Sequence, residues 1–416
     1  MSAAYKLVIV ESPSKCKKIE QYLNKLAQIP YKCLASYGHI RELAGLESID
    51  IHHNFAPTFI ECESKKDQIS KLNKAIKGAS EVILASDDDR EGEAIAWHLC
   101  QVFNLPVEST KRIIFHEITE TALQKAIENP IIINMPRVQA QMARQVLDIL
   151  VGYKLSPLLW KHVKDGLSAG RCQTPALRLI YDNEKEISSA PGKETYTITG
   201  YFTSANIPFV LNHEESDSIV LQAFLEESLT HSPNYNGCKL QNKTRAAPEP
   251  FTTSSLQQHC SNELHLSPKE TMTICQTLYE GGYITYHRTD SRVYSEEFKT
   301  KAAAFIETTY GKEYLLKDKN EMVQKSKGKN KKEDEDEETA HEAIRVTNLE
   351  CNDVITNKRE NRVYQLIRQR TLESCMSEAT VSVLNATITA PQKHEYHYTT
   401  EQFIFLGWKI VENNND

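Results

Sequence analysis

The feature that most constrains this chain is an early alternation of short apolar runs with amphipathic stretches. Leu7-Val8-Ile9-Val10 reads as a buried strand, and residues 14–26 carry Ile19, Leu23 and Leu26 at helical spacing. Val82-Ile83-Leu84-Ala85 repeats the strand signal, and Gly92 to Phe103 follows with Ile95, Leu99 and Val102 on one helical face. Ile113-Ile114-Phe115 is expected as a third strand, leading into a helix around Thr119 to Ile127. Strands that alternate with helices predict a parallel, doubly wound sheet, with its ligand site at the C-terminal ends of the strands.

Beyond residue 135 the pattern changes. From about Arg137 to Glu186 it is helical, with Met142, Val146, Ile149 and Leu150 spaced as one face. Strands are expected at Thr195 to Tyr201, Ile207 to Leu211, Thr380 to Thr389 and Phe403 to Val411, so a β-rich region is left and re-entered. Between its parts lies a helical insertion. Ser267-Pro268-Lys269-Glu270 starts a helix there, through an N-cap serine, a first-turn proline and a capping-box glutamate, and Gly281-Gly282 ends it. The chain of 416 residues is too long for one ordinary core. Its expected segments are an α/β domain over 1–135, a helical segment over 136–190, β-rich parts over 191–250 and 378–416, and the helical insertion over 251–377.

The formal net charge is −7, but Glu333 to Glu338 is an unbroken run of six acids, and without it −7 + 6 = −1 remains. The composition therefore permits nucleic-acid binding without arguing for it. Residues 325–338 pair a basic block with that acidic one and are expected to form a disordered, solvated loop. The ten cysteines include no CxxC, which argues against a zinc ribbon and fits free thiols in a reducing cytosol. No apolar run is long enough to span a membrane. No GxxxxGK[ST] occurs, which argues against an ATPase module.

Two clusters carry chemistry. Asp87-Asp88-Asp89-Arg90-Glu91-Gly92-Glu93 follows the Val82 to Ala85 strand directly. An acidic run at a helix start is commonly a partner for the helix dipole. In an extended stretch, however, Asp87 and Asp89 point the same way, and Glu11 ends another strand of the same sheet. Converging carboxylates repel unless a hard divalent cation joins them, and Mg²⁺ suits such a site. Lys15 lies one helical turn beyond Glu11. The second cluster is Gly282 to Ser291, where Tyr286 and Arg288 share a face if the chain is extended. A tyrosine can accept a phosphoryl group when a nearby cation stabilises the charge, and a guanidinium fits phosphate oxygens.

Seven segments, in order, resemble signatures of the type IA DNA topoisomerases. They are Val10 to Lys15, Ser36 to Arg41, Ala85 to His98, Ala143 to Pro157, Leu167 to Leu177, Tyr283 to Ser291 and Ala340 to Arg345. The resemblance runs from residue 5 to about 416. It implies a Toprim domain followed by discontinuous toroidal domains: a DNA-binding arch segment over 136–190, a β-rich gate domain in two parts, and the tyrosine on the helical insertion. It implies an ATP-independent enzyme that cuts single-stranded stretches of negatively supercoiled DNA through a 5′-phosphotyrosine, passes a strand and reseals.

By the same resemblance Tyr286 is the nucleophile, Lys15 and Arg288 stabilise the transition-state charge, and Glu11 is the general acid for the departing 3′-oxygen. His341 supports the phosphate or the tyrosine. Glu11, Asp87 and Asp89, with Glu91, hold Mg²⁺. His39, Arg144, Gln145, Asp148, Tyr153, Trp160 and the loop Ser168, Ala169, Gly170, Arg171, Cys172 and Gln173 line a single-strand groove. Gln145 stands where bacterial members carry a second arginine. Trp160 is open to two readings, a stacking face for a base or plain core packing. A monomer in the cytoplasm, at a bacterial nucleoid or a viral replication compartment, is expected. The family continues past Gly407 to Val411 into a segment that completes the arch, so a chain ending at Asp416 is expected to be truncated or complemented. Two rivals stand beside this reading: another Toprim enzyme, a primase or nuclease that needs no tyrosine, and a DNA-binding module without activity.

Overall fold

The structure is a computed structural model that describes residues 5–25, 27–316, 341–354 and 357–413. The charged run 325–338, Leu26 and Ala340 lie outside the described residues. Two compact units are present. The first comprises Met1–Asn183, Phe251–Arg292 and Glu333–Arg368; the second comprises Glu184–Pro250, Val293–Lys332 and Gln369–Asp416.

The first unit is built on the predicted parallel sheet. Its elements are β1 (Tyr5–Val10), α1 (Pro13–Asn24), β2 (Tyr31–Ala35), α2 (Lys66–Gly78), β3 (Ala79–Ala85), α3 (Arg90–Phe103), β4 (Lys111–Arg112) and α4 (Glu120–Glu128). The strand order is β2-β1-β3-β4, all parallel, with Val10 level with both Ala35 and Ala85. Leu7, Ile9, Leu72, Leu84, Ile95, Leu99 and Val138 form its buried core. Each contributes about 1.5–3 kcal/mol of burial free energy. Because the strands are parallel, the residues that follow them leave the sheet at one edge. Glu11, Asp87 to Asp89 and His116 all do so.

The third strand departs from expectation. The paired residues are Lys111–Arg112, with Ile113 N donating to Leu84 O at 2.8 Å, and not Ile113 to Phe115. Ile113 and Phe115 are buried as the sequence suggests. Their apolar character reports burial, whereas the ladder ends where the chain diverges: His116 O accepts the Tyr286 N–H at 2.7 Å.

Two long helices follow, α5 (Met135–His162) and α6 (Gln173–Ser189), divided by the loop that carries Ser168 to Cys172. At about 1.5 Å per residue, α5 is roughly 42 Å long. Asn134 caps it by accepting from Arg137 N. In the insertion come α7 (Thr253–Leu264) and α8 (Pro268–Glu280). The Ser267–Glu270 capping box is present in both directions, and α8 ends at Glu280 as read. Gly282 takes φ +68°, and a Cβ there would meet Ile118 O at 2.8 Å, so glycine is required at this turn.

In the second unit, strands 199–201, 208–211, 235–245, 379–389 and 395–405 form one antiparallel sheet. Arg245 pairs with Ala379, so the β region is indeed re-entered after the insertion. The expected strand over Phe403 to Val411 is a correction: the strand is Glu395–Phe405, and Gly407 to Asn413 is helical. Gly407, at φ +51°, turns the chain against Glu378 O, where a Cβ would sit only 2.4 Å away. Of Thr195 to Tyr201, only Thr199–Tyr201 is strand.

The tightest point of the first unit is the β3–α3 turn. Asp89 is the N-cap of α3, accepting from Gly92 N at 2.7 Å, and Ser86 Oγ donates to Gly92 O at 2.6 Å. A Cβ on Gly92 would stand 2.1 Å from Asp87 O. Gly92→Ala must therefore move the acidic loop. It is expected to cost about 3 kcal/mol by overpacking, read as a fall of roughly 5–10 °C in thermal unfolding.

Candidate active site

The Tyr286 segment is pinned on both sides. Its own N–H bonds to His116 O, Thr285 N donates to Arg345 O at 2.9 Å, and Ile284 bridges Val346. Thr289 and Thr253 exchange backbone and side-chain bonds at 2.9 Å. Residues 284–289 are thus held between the sheet edge and the 343–347 segment, with the chain bending at His287. Tyr286 and Arg288, on either side of that bend, both reach the same oxygen. Tyr286 OH donates to Asp89 Oδ2 at 2.6 Å, and Arg288 Nη1 lies 3.4 Å from it.

The four groups grouped by sequence around the strand ends interact. Lys15 is fully buried and ion-pairs with Asp87, with Nζ 4.8 Å above the ring of buried Tyr279. Tyr279 in turn lies 5.3 Å from the Tyr286 ring. Glu11 is raised above the ordinary carboxylate range, first by burial and then by Asp87 and Asp89, with Lys15 and Arg288 opposing. Burial, then the charges of Asp89 and Asp87, push the Tyr286 phenol well above its usual value, and Arg288 pulls it down. The phenol is therefore a neutral donor held against a carboxylate. His287 is pushed down to about 3, chiefly by burial and then by Arg288 and Lys15, so it is uncharged.

Asp88, between the two aspartates, faces the other way. Its Oδ1 accepts from Arg137 at 2.7 Å and its Oδ2 lies 3.0 Å from His116 Nε2. Burial alone would raise its carboxyl, but His116 and Arg137 outweigh that and hold it well below the ordinary range. His341 stands behind them: Nδ1 is 4.0 Å from Asp88 Oδ2, and its ring lies 5.1 Å from His116 and 5.7 Å from Tyr286. Glu93 and Arg112, both fully buried, approach to 3.0 Å beneath this layer, and Arg112 Nη2 donates to Asp87 O at 2.9 Å.

Glu91, at the start of α3, makes contacts of its own. Its carboxylate meets His39 Nε2 at 3.0 Å, Gln141 at 3.1 Å and Arg144 at 3.7 Å. The bond to His39 holds it below its usual value, against burial and with help from Gln141. Glu91 so meets the groove candidates His39 and Arg144. Among those candidates, Arg171 is bidentate on Asp148 at 2.8 and 3.3 Å. The loop is knitted by Ala169 N to Ser156 Oγ, Gly170 N to Thr174 Oγ1 and Gln173 to Ser168 Oγ, all at 3.1 Å. Cys172 is exposed and Gln145 half-buried. Trp160 is 47% exposed and Tyr153 56% exposed, with Trp160 Nε1 donating to Leu167 O at 2.5 Å; neither is core.

Sequence reasoning passed over Asp88, His116, Arg137, Gln141, Arg112 and Tyr279. The alternation that paired Asp87 with Asp89 already sent Asp88 to the opposite face, and His116 follows the third apolar run at the ligand-bearing edge. Those two signals were available. Arg137, Gln141 and Tyr279 come from distant helices and carry no local signal.

Residues 6–118 match the family described as the Toprim domain, a divalent-metal-binding fold, and residues 132–416 match the family described as DNA topoisomerase. The structure is similar to full-length topoisomerase I from Thermotoga maritima, with a TM-score of 0.82 and 34% identity. That similarity covers 98% of this chain and 67% of the other. The chain belongs to the type IA DNA topoisomerase family. Among the described residues, no helix is long and apolar enough to cross a membrane.

The Asp88 interactions generate a stability prediction. Asp88→Asn strips a half-exposed Arg137 and His116 of their anion, at an expected cost of about 2 kcal/mol, below the full price of a buried pair. Because the folded-state value is depressed, this stabilisation is complete above the ordinary carboxylate range and is lost as pH falls through the lowered value. Urea unfolding at neutral and acidic pH should show the Asn variant weaker at neutral pH, with the gap closing in acid.

Proposed function

We propose that Tyr286 is the nucleophile of a DNA strand cleavage-and-resealing reaction, carried by this chain as a type IA topoisomerase. The observation that supports it most is the short bond from Tyr286 OH to Asp89, on a backbone held from both sides. The phenolic oxygen attacks the phosphorus of a single strand, and the bond to the 3′-oxygen breaks. The phenol proton passes toward Asp89 Oδ2, which already accepts it. Arg288 and Lys15 stabilise the charge on the phosphoryl oxygens. Glu11, whose carboxyl is raised by burial and then by Asp87 and Asp89, gives its proton to the departing 3′-oxygen. The product is a 5′-phosphotyrosine and a free 3′-hydroxyl, and the reverse attack reseals the strand.

The all-oxygen donor set of Glu11, Asp87 and Asp89, with Glu11 raised by burial and then by the two aspartates, has the donor chemistry of a hard divalent cation, although the three do not stand as close together as Asp88, His116 and His341. On this reading Mg²⁺ held there would neutralise phosphate charge and favour resealing. His341, beside the Tyr286 ring, supports the phosphate or the tyrosine. His39, Arg144, Gln145, Asp148, Tyr153, Trp160 and residues 168–173 form the single-strand groove. Exposed Trp160 and Tyr153 offer faces for bases, and Arg171 exchanges Asp148 for a phosphate. Residues 1–135 act as the Toprim domain, 136–190 as the arch segment, 191–250 and 378–416 as the gate, and 251–377 as the carrier of the tyrosine. The protein acts as a monomer on single-stranded regions of negatively supercoiled DNA in the cytoplasm.

Trapping the covalent adduct with a single-stranded oligonucleotide tests the nucleophile. Tyr286→Phe should abolish the adduct while oligonucleotide affinity changes less than about threefold, under 1 kcal/mol. An adduct that survives in Tyr286→Phe and vanishes in Tyr283→Phe would move the assignment by three positions.

The acid role makes a separate prediction. With metal chelated, single-turnover cleavage needs Glu11 protonated and Asp89 free to accept the phenol proton. On the alkaline side it should fall about tenfold per pH unit once pH passes the raised Glu11 value. Glu11→Gln should be slow at every pH and lack that fall. A parent profile that stays flat to alkaline pH would remove Glu11 from the acid role.

A further inference from the structure

The nitrogen and oxygen atoms around Asp88 form a second cluster, apart from the Glu11–Asp87–Asp89 carboxylates. Asp88, His116 and His341 each offer one ligand atom, all within 4.8 Å of one another. Asp88 Oδ2 lies 3.0 Å from His116 Nε2 and 4.0 Å from His341 Nδ1. Ligands on a tetrahedral zinc, with bonds of about 2.1 Å, stand roughly 3.4 Å apart, so these separations bracket what a shared cation requires. His341 Nδ1 is buried and finds no hydrogen-bond partner among the described residues, although it is aimed at Asp88. An orphaned imidazole nitrogen facing a carboxylate at 4.0 Å is too far for a hydrogen bond and well placed for a bridging ion.

We propose that Asp88, His116 and His341 form a second metal site, selective for a borderline first-row divalent cation such as Zn²⁺ or Co²⁺ over Mg²⁺. The two imidazoles set the class. Nitrogen donors suit zinc, cobalt and nickel, whereas magnesium takes oxygen donors and water. Two histidines and one carboxylate leave coordination positions open for water or a phosphate oxygen. The support behind the carboxylate is already built: Arg137 holds Asp88 Oδ1 at 2.7 Å and so orients Oδ2 toward the imidazoles. Arg137 also lies 3.9 Å from Glu93, so its charge is shared between two acids and not directed at the cluster alone. Binding replaces the His116–Asp88 hydrogen bond. It ties three separate stretches together: the β3–α3 turn, the chain after β4, and the 341–347 segment beside Tyr286. An occupied site also engages His341, the group read above as supporting the phosphate or tyrosine.

The probes are ZnCl₂ and CoCl₂, titrated into the full chain in millimolar Mg²⁺ after alkylation of exposed Cys172 and Cys238. The expected result is one micromolar-affinity equivalent, a Co²⁺ visible spectrum of nitrogen–oxygen type, and a Zn²⁺-dependent rise in melting temperature. His116→Gln and His341→Gln should each weaken binding by roughly tenfold or more and remove most of the thermal shift. Asp87→Asn with Asp89→Asn should leave both. Because the His variants are compared with their own metal-free melting temperatures, a loss of fold is separable from a loss of binding. Unchanged affinity in both His variants overturns the proposal. So does binding that Mg²⁺ displaces, binding lost only in the Asp87/Asp89 variant, or a thiolate-type Co²⁺ spectrum.

Discussion

One carboxylate organises the site. Asp89 uses Oδ1 to cap α3 through Gly92 N, and Oδ2 to accept the Tyr286 phenol with Arg288 beside it. The first bond fixes the aspartate to the sheet edge; the second draws a segment nearly two hundred residues away in sequence to the same point. The cap requires a glycine three residues on, because the backbone of Asp87 occupies the space a side chain would need. Local helix chemistry and the position of the reactive oxygen are therefore a single constraint.

Around that carboxylate, charge is arranged in two opposed layers. Asp87 and Asp89 face Lys15, Tyr286 and Arg288, while Asp88 faces Arg137, His116 and His341. Taking charges out of water is costly unless each is paired, and a missing partner costs more than a missing pair. Lys15 satisfies Asp87, and Arg112 sits beneath with Glu93. Glu11 makes no ion pair of its own among the described residues, and burial beside two anions raises it against the pull of Lys15 and Arg288. The same lack of neutralisation suits it to hold a proton, or to join the other carboxylates on a cation.

Much of this is legible in the sequence. The strand–helix alternation implied the parallel sheet, and the position of Glu11 and Asp87 to Asp89 after strands implied a shared edge. The departures have physical causes. Ile113 to Phe115 is apolar because it is buried, but hydrogen-bond pairing stops where the chain turns toward Tyr286. Phe403 to Val411 keeps an apolar pattern through a change from strand to helix at Gly407, a turn set by contact with Glu378 O. Glu91 sits in the acidic run, yet the helix it lies on carries it to His39 and Gln141.

The sequence by itself determined the order of elements, the helix caps and the chemical types gathered near the strand ends. These depend on periodicity and on neighbours within a few residues, which a linear chain records. Only the tertiary structure decided which oxygen receives the Tyr286 phenol, that Asp88 meets His116 and His341, and that Arg171 rests on Asp148. Those contacts join residues 23 to 253 positions apart. Each depends on where the sheet, α5 and the 283–289 segment come to lie, and no short-range pattern encodes a distance across the fold.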